Sequence, residues 1–208
     1  MDPKALFRLS YGLYYIGTYG IKPNACVANT AIQVTSSPAK IAVTLNKDNF
    51  TTSVIDYTGK FTVSVIDTDV SLEEISRFGF ASGADTDKFD GFADYGKFGD
   101  VPYIAKNTNA AFLLRKEASL DVGTHKIFIG TVEDAVVLSD RPSLTYADYH
   151  AKKNGATPPR APAFVYEKED VGKVRYRCKV CGYIHEGELP DNFECPVCHR
   201  PATYFERI

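Results

Sequence analysis

Four cysteines near the C-terminus, Cys178, Cys181, Cys195 and Cys198, carry the clearest chemical signal in the chain. They form two C-x2-C pairs with thirteen residues between them. Such pairs converge four thiolates into a tetrahedron, a geometry that zinc and mononuclear iron both accept, and spacing does not choose between the two. Residues 173–208 fall below the roughly 40 residues at which a domain folds unaided, so a metal must supply folding energy. Gly182 follows the second thiolate and Pro196 the third, which suits tight turns whose N–H groups point back at sulfur and tune the metal. Tyr176, Tyr183, Phe193, Tyr204 and Phe205 offer a small aromatic core. His185 and His199 are surplus to a site that four sulfurs saturate. Cys26 stands alone and reads as a small buried hydrophobe.

A second cluster lies at 45–55. A predicted strand ends near Asn46, and Lys47, Asn49, Thr51 and Thr52 fall where a helix would begin. Backbone N–H groups, hydroxyls and an ammonium there make an anion site, although the same residue types also serve as plain helix caps. Arg77 and Lys88, from the segment 77–89, are placed to close that site. His125 follows Gly123 and Thr124 at the edge of another predicted strand, where a hydrogen-bonded structural histidine is the plain reading. The glycine fingerprint of a dinucleotide-binding βαβ unit is absent from the sequence.

The elements that position these residues are mainly strands. Segments 25–35, 40–46, 60–67, 110–120 and 125–138 are rich in Val, Ile, Thr and Phe. A helix is expected over 71–80, where Ser71 and Glu74 make a capping box and Leu72, Ile75 and Phe78 repeat at helical spacing. A second is expected between Asn49 and Gly59. Many strands with few helices point to a closed or nearly closed barrel. The tyrosines of residues 9–20 could stack on a cofactor, but aromatic residues this close to the start of a barrel usually belong to its core or to a dimer interface. Pro158, Pro159 and Pro162 mark 151–172 as an extended, semi-rigid linker between a large domain, 1–150, and a small one, 173–208.

Composition narrows the function classes. With 208 residues, 44% of them hydrophobic, the chain can bury a real core. Twenty-four basic against 26 acidic residues leave no excess charge to hold a polyphosphate backbone, so nucleic acid is not an expected partner. The first residues lack a basic-then-apolar leader and no stretch approaches 18 consecutive apolar residues, so no membrane association is expected and the compartment is expected to be cytoplasmic. In that compartment clustered thiols serve metals rather than disulfides.

Residues 176–201 resemble a rubredoxin-type module, with its C-x2-C-G-Y and C-P-x-C knuckles. The loop between the pairs is short, like that of the C-terminal domain of rubrerythrins. This resemblance implies iron held by Cys178, Cys181, Cys195 and Cys198, and one-electron transfer. Residues 1–150 resemble the flavin reductase family with an FMN-binding split barrel, through the segments 24–55, 58–66, 77–89 and 123–135 in the family's order. The implied fold is mainly β: a flavin reductase-like split β-barrel with short helices, plus a small C-terminal rubredoxin-like metal-binding domain. Carried over by position, Asn29, Thr30, Ala31, Ile32 and Gln33 would run beside the isoalloxazine. Asn46, Lys47, Asn49 and Thr51 would hold ribityl and phosphate, with Arg77, Ser82 and Lys88 as further contacts. His125 would lie near the flavin face where nicotinamide stacks.

Together the two parts resemble the family of high-molecular-weight rubredoxins. That resemblance implies a homodimer in which NADH or NADPH reduces FMN. Electrons then pass singly to iron and on to a terminal acceptor, typically a flavodiiron reductase of oxygen or nitric oxide. The competing expectation is an NAD(P)H:flavin reductase that releases reduced FMN, with the tail as a zinc-ribbon docking module.

Overall fold

The computed structural model describes residues 3–153 and 174–208. Its frame is a seven-stranded antiparallel sheet. In chain order the strands are β1 (Tyr14–Tyr19), β2 (Pro23–Ala28), β3 (Ala31–Ser36), β4 (Ala39–Asn46), β5 (Lys60–Ile66), β8 (Thr108–Asp121) and β9 (His125–Val137). In space the order is β2-β1-β5-β8-β9-β4-β3. A separate hairpin joins β6 (Tyr95–Phe98) to β7 (Val101–Ile104).

Side chains alternate faces along a strand, and the two faces feed different cores. Ile16 and Cys26 enter an inner cluster with Val43, Leu45, Phe61, Val63, Leu114 and Phe128. Their neighbours Tyr15 and Ala25 face outward into a second cluster. β2 and β4 lie far apart in the ladder order, yet Cys26, Ala28, Ile41 and Val43 share the inner core. The sheet therefore curls until its ends meet over apolar side chains without a shared backbone ladder, which is a split barrel. Burying each fully enclosed ring, such as Phe61 or Phe128, stabilises by about 1.5–3 kcal/mol.

Three helices close the barrel. α1 (Phe50–Thr58) starts at Asn49, whose side chain accepts the Thr51 N–H at 3.0 Å. It ends at Gly59, held at φ 69°, a left-handed conformation that favours glycine. α2 (Leu72–Gly79) carries the expected capping box and packs Ile75 and Phe78 into the outer cluster. α3 (Tyr146–Lys153) adds Tyr146 and Tyr149 to the same cluster. Gly17 is demanded by close approach: a Cβ there would lie 2.1 Å from the Pro102 carbonyl oxygen and 2.4 Å from Thr62 Oγ1.

The C-terminal unit is a three-stranded sheet, β11-β10-β12, of β10 (Arg175–Cys178), β11 (Ile184–Glu186) and β12 (Phe205–Arg207). Its core is the cysteine set with Val197, against which Val180, Tyr183 and Phe205 pack. Phe193 meets Phe205 edge-on at 5.3 Å, while Tyr204 stays 40% exposed.

Three local features differ from the sequence reading. The apolar run 25–35 is two strands, β2 and β3, which take opposite ends of the sheet, because the chain crosses at Asn29 and Thr30. β1 and the β6–β7 hairpin contain glycines and Pro102, which read as turn punctuation and mask strand pattern. α3 runs to Lys153, past the expected domain edge at 150, and 154–172 of the expected linker lie outside the described residues.

Candidate cofactor cleft and metal centre

The two C-x2-C pairs fold into matching turns. Gly182 N–H donates to the Cys178 carbonyl at 2.9 Å, and His199 N–H donates to the Cys195 carbonyl at 2.9 Å. Both turn residues have positive φ, 76° at Gly182 and 55° at His199. His199 thus does for the second turn what glycine does for the first, and its ring points away to Glu194, 3.1 Å distant. The four sulfurs lie within 4.8 Å of one another, all on buried residues. Cys178 and Cys198 sulfurs are 3.6 Å apart, and Cys181 and Cys195 sulfurs 3.5 Å. A tetrahedral metal with sulfur at 2.3 Å requires roughly 3.8 Å between sulfurs, so the donor set fits such an ion. Hydrogen bonds from the thiols of Cys181, Cys195 and Cys198 hold Cys178 far below the ordinary thiol range, and the same crowding pushes Cys181 far above it. The backbone N–H groups of Cys181, Tyr183 and Cys198 also bond the sulfurs of Cys178, Cys181 and Cys195, favouring thiolate in each case.

Beside this centre a cleft of about 440 Å³ opens between the barrel and the cysteine turns, within the range of small-molecule sites. One wall comes from the barrel: Ala28 at the end of β2 with Asn29 after it, Asn46 at the end of β4, Asn49 and Phe50 at the start of α1, and Gly79 at the end of α2 through Ser82. The other wall is Lys179 and Val180 from the first cysteine turn, with Arg200 and Tyr204. Asn29 is the informative residue. It is 4% exposed, its Oδ1 accepts the Thr30 hydroxyl at 2.9 Å, and its Nδ2 has no partner. A buried donor left unmet costs about 1–3 kcal/mol, so this one fits a ligand bearing acceptors, as a flavin ring does.

Of the flavin and nicotinamide contacts carried over by resemblance, the cleft gathers Asn29, Asn46, Asn49 and Ser82. The others lie outside its lining. Thr51 is buried behind it, accepting Asn24 Nδ2 at 2.8 Å. Lys47 is exposed and pairs with Asp121 at 2.8 Å. Arg77 donates to the carbonyls of Lys88 and Asp90, over the Phe92 ring. Lys88 is 4% exposed and donates to the carbonyls of Ala25 and Phe78, both at 2.9 Å; burial pulls its ammonium below the ordinary range. Thr30 stands beside Asn29, while Ile32 and Gln33 are exposed along the edge strand β3, which Ala31 opens. His125 begins β9 opposite Asn46, its Nδ1 2.8 Å from Thr124 Oγ1. Cys26 lies in the barrel core, its thiol pushed up by burial.

Sequence reading overlooked Tyr149, Lys153, Lys179 and Arg200. The helix that carries the first two had a visible signal: Thr145 and Asp148 cap it at the spacing of a capping box, and Tyr146, Tyr149 and Lys153 follow at helical intervals.

The pattern of the flavin reductase like domain matches residues 6–155, and that of the rubrerythrin, rubredoxin-like domain matches residues 176–206. The chain belongs to the flavin reductase-like family. It is 39% identical to the high molecular weight rubredoxin of Moorella thermoacetica, over all of both chains. It is 42% identical to the ferric-chelate reductase (NAD(P)H) of Archaeoglobus fulgidus, over 81% of this chain and all of that one. A Thermus thermophilus FMN-binding protein shares the fold at 22% identity and a TM-score of 0.59, over 67% of this chain and 82% of that one. Membership makes the protein an oxidoreductase that pairs a flavin-binding barrel with a four-cysteine metal unit. Among the described residues no helix is long and apolar enough to cross a membrane.

Proposed function

We propose that this protein carries electrons from NADH or NADPH to a one-electron acceptor, through FMN in the cleft and iron in the four-cysteine site. The observation that carries this reading is the cleft itself, whose walls come from the barrel on one side and from the cysteine turns on the other. When bound, the flavin accepts hydride and releases single electrons, which suits a one-electron iron centre.

The chain's own residues supply position. Asn29 offers its unmet Nδ2 to the polar edge of the ring. Asn46, Asn49 and Ser82 hold ribityl and phosphate around the start of α1, where the helix dipole favours an anion, and Thr51 backs them from behind the cleft. Thr30, Ala31, Ile32, Gln33, Lys47, Arg77 and Lys88 complete the proposed flavin contacts, directly or by supporting the backbone that makes them. His125 stands at the nicotinamide side. Cys178, Cys181, Cys195 and Cys198 hold iron in a dry pocket, zinc being the substitute. The protein works as a homodimer in the cytoplasm, divided into 1–150 and 173–208 by the linker 151–172, and a flavodiiron-type reductase takes its electrons.

Rapid mixing of the purified protein with each nicotinamide tests the relay: flavin absorbance should bleach before iron absorbance falls. Cys198→Ser should bleach its flavin at the normal rate and deliver nothing to the acceptor. Normal delivery by that variant overturns the order of the relay. The ferric-chelate relative favours a second activity that bypasses the metal unit, and Cys198→Ser should keep it: NAD(P)H-driven reduction of ferric chelates by the flavin alone.

A further inference from the structure

Lys153, at the C-terminal end of α3, is 1% exposed. A buried ammonium is costly unless charge or hydrogen bonds compensate it. Its Nζ donates to the carbonyl oxygen of Cys181 at 2.8 Å, across the boundary between barrel and metal unit. The Tyr149 ring lies beneath the ammonium, 4.9 Å to the centroid. The cysteine cluster also touches the barrel through Leu72, which opens α2, and Phe80, which follows it. An apolar contact and a buried cation thus meet the same face of the metal unit, beside the cleft that holds Val180.

We propose that Lys153 is the residue by which this chain's metal unit docks on its own barrel, and that its buried charge raises the reduction potential of the metal centre. The second half follows from the first and rests on the iron reading above. Four thiolates around ferric iron carry one net negative charge, and one added electron makes it two. A fixed cation against the Cys181 backbone stabilises the doubly charged state more, and so favours reduction. Electron delivery then runs within one chain, because the docked turn already lines the cleft on its own barrel.

Two measurements on full-length protein separate these claims. In zinc-loaded protein, hydrogen exchange at the amides of 72–80 and 178–183 reports docking without any redox chemistry. Lys153→Met should speed exchange in both segments together, and Lys153→Arg, which keeps the charge and a donor, should restore slow exchange. In iron-loaded protein, spectroelectrochemical titration of Lys153→Met should show reduction about tenfold less favourable, a shift of about 59 mV for a one-electron couple. Unchanged exchange in Lys153→Met overturns the docking role, and an unchanged potential overturns the electrostatic one. Should the native centre prove to be zinc, the proposed function fails while the exchange result still decides the docking.

Discussion

Asn29→Leu isolates the residue that most directly implies a flavin. The side chain is 4% exposed, spends Oδ1 on the Thr30 hydroxyl and leaves Nδ2 without a partner. In the unliganded protein the substitution removes one hydrogen bond, worth about 1 kcal/mol, and relieves a buried unmet donor costing about 1–3 kcal/mol. Leucine keeps the four-heavy-atom skeleton of asparagine and is larger, so no cavity is left, and the open cleft beside it takes up the extra volume. Unliganded stability should therefore change by less than about 1 kcal/mol, or rise. With FMN bound the balance reverses, because the ring's acceptors lose a desolvated donor; the loss is about 1.4–2.8 kcal/mol, or 10- to 100-fold in Kd. Calorimetric titration with FMN and thermal unfolding with and without saturating FMN measure both sides. An unliganded protein destabilised by 2 kcal/mol or more, with FMN affinity intact, would refute the reasoning: Asn29 would then be a structural residue and not a ligand donor.

Stripping the metal with a chelator should unfold residues 174–208 and speed exchange at 72–80 while the barrel itself stays folded, since the small unit's core is the cysteine set and those residues cover it; heteronuclear NMR separates the two. Burial pushes the Glu74 carboxyl up, but the Ser71 N–H and hydroxyl, the Asn107 amide and Lys106 together hold it below its ordinary value. Its stabilising charge is thus fully present above the unfolded value and is lost as pH falls through the lower folded one. Glu74→Gln should be less stable at pH 7, by no more than about 1 kcal/mol given solvent screening, and in urea titrations the gap should close as pH falls below the ordinary carboxylate range. Gly17→Ala puts a methyl against the Pro102 carbonyl oxygen and Thr62 Oγ1, which should cost about 1–3 kcal/mol and loosen the β6–β7 hairpin, read as a drop in Tm.

The metal site was legible from spacing because four ligands in two short turns need no tertiary knowledge. The capping box of α2 and the glycine stop of α1 were legible for the same local reason. What failed to show was whatever depends on distant strands. Asn29 sits inside one apolar run, and nothing local says that the run crosses from one end of the sheet to the other there. Lys47, Arg77 and Lys88 share a charge suited to phosphate, yet their partners in space are Asp121, the Lys88 and Asp90 carbonyls, and the carbonyls of Ala25 and Phe78. Charge type is written in the sequence, whereas the availability of that charge is set by carboxylates and carbonyls brought near it from up to 74 residues away. Lys179 and Arg200 were hidden in the opposite sense: both belong to the metal unit, and only the meeting of two units turns them into walls of a cleft.

The undersized metal unit and the barrel are linked by a single dependence. Val180, the apolar residue that the first turn presents to the cleft, is held there by Cys178 and Cys181 on either side. Without a cation the four sulfurs cannot keep their spacing, the turn loses its shape, and Leu72 and Phe80 lose the face they cover. Metal occupancy is therefore a condition for docking as well as for the proposed electron transfer. This explains how so small a unit can dock on a barrel more than four times its described length: the ion orders the unit, and the ordered turn supplies the carbonyl that Lys153 reaches.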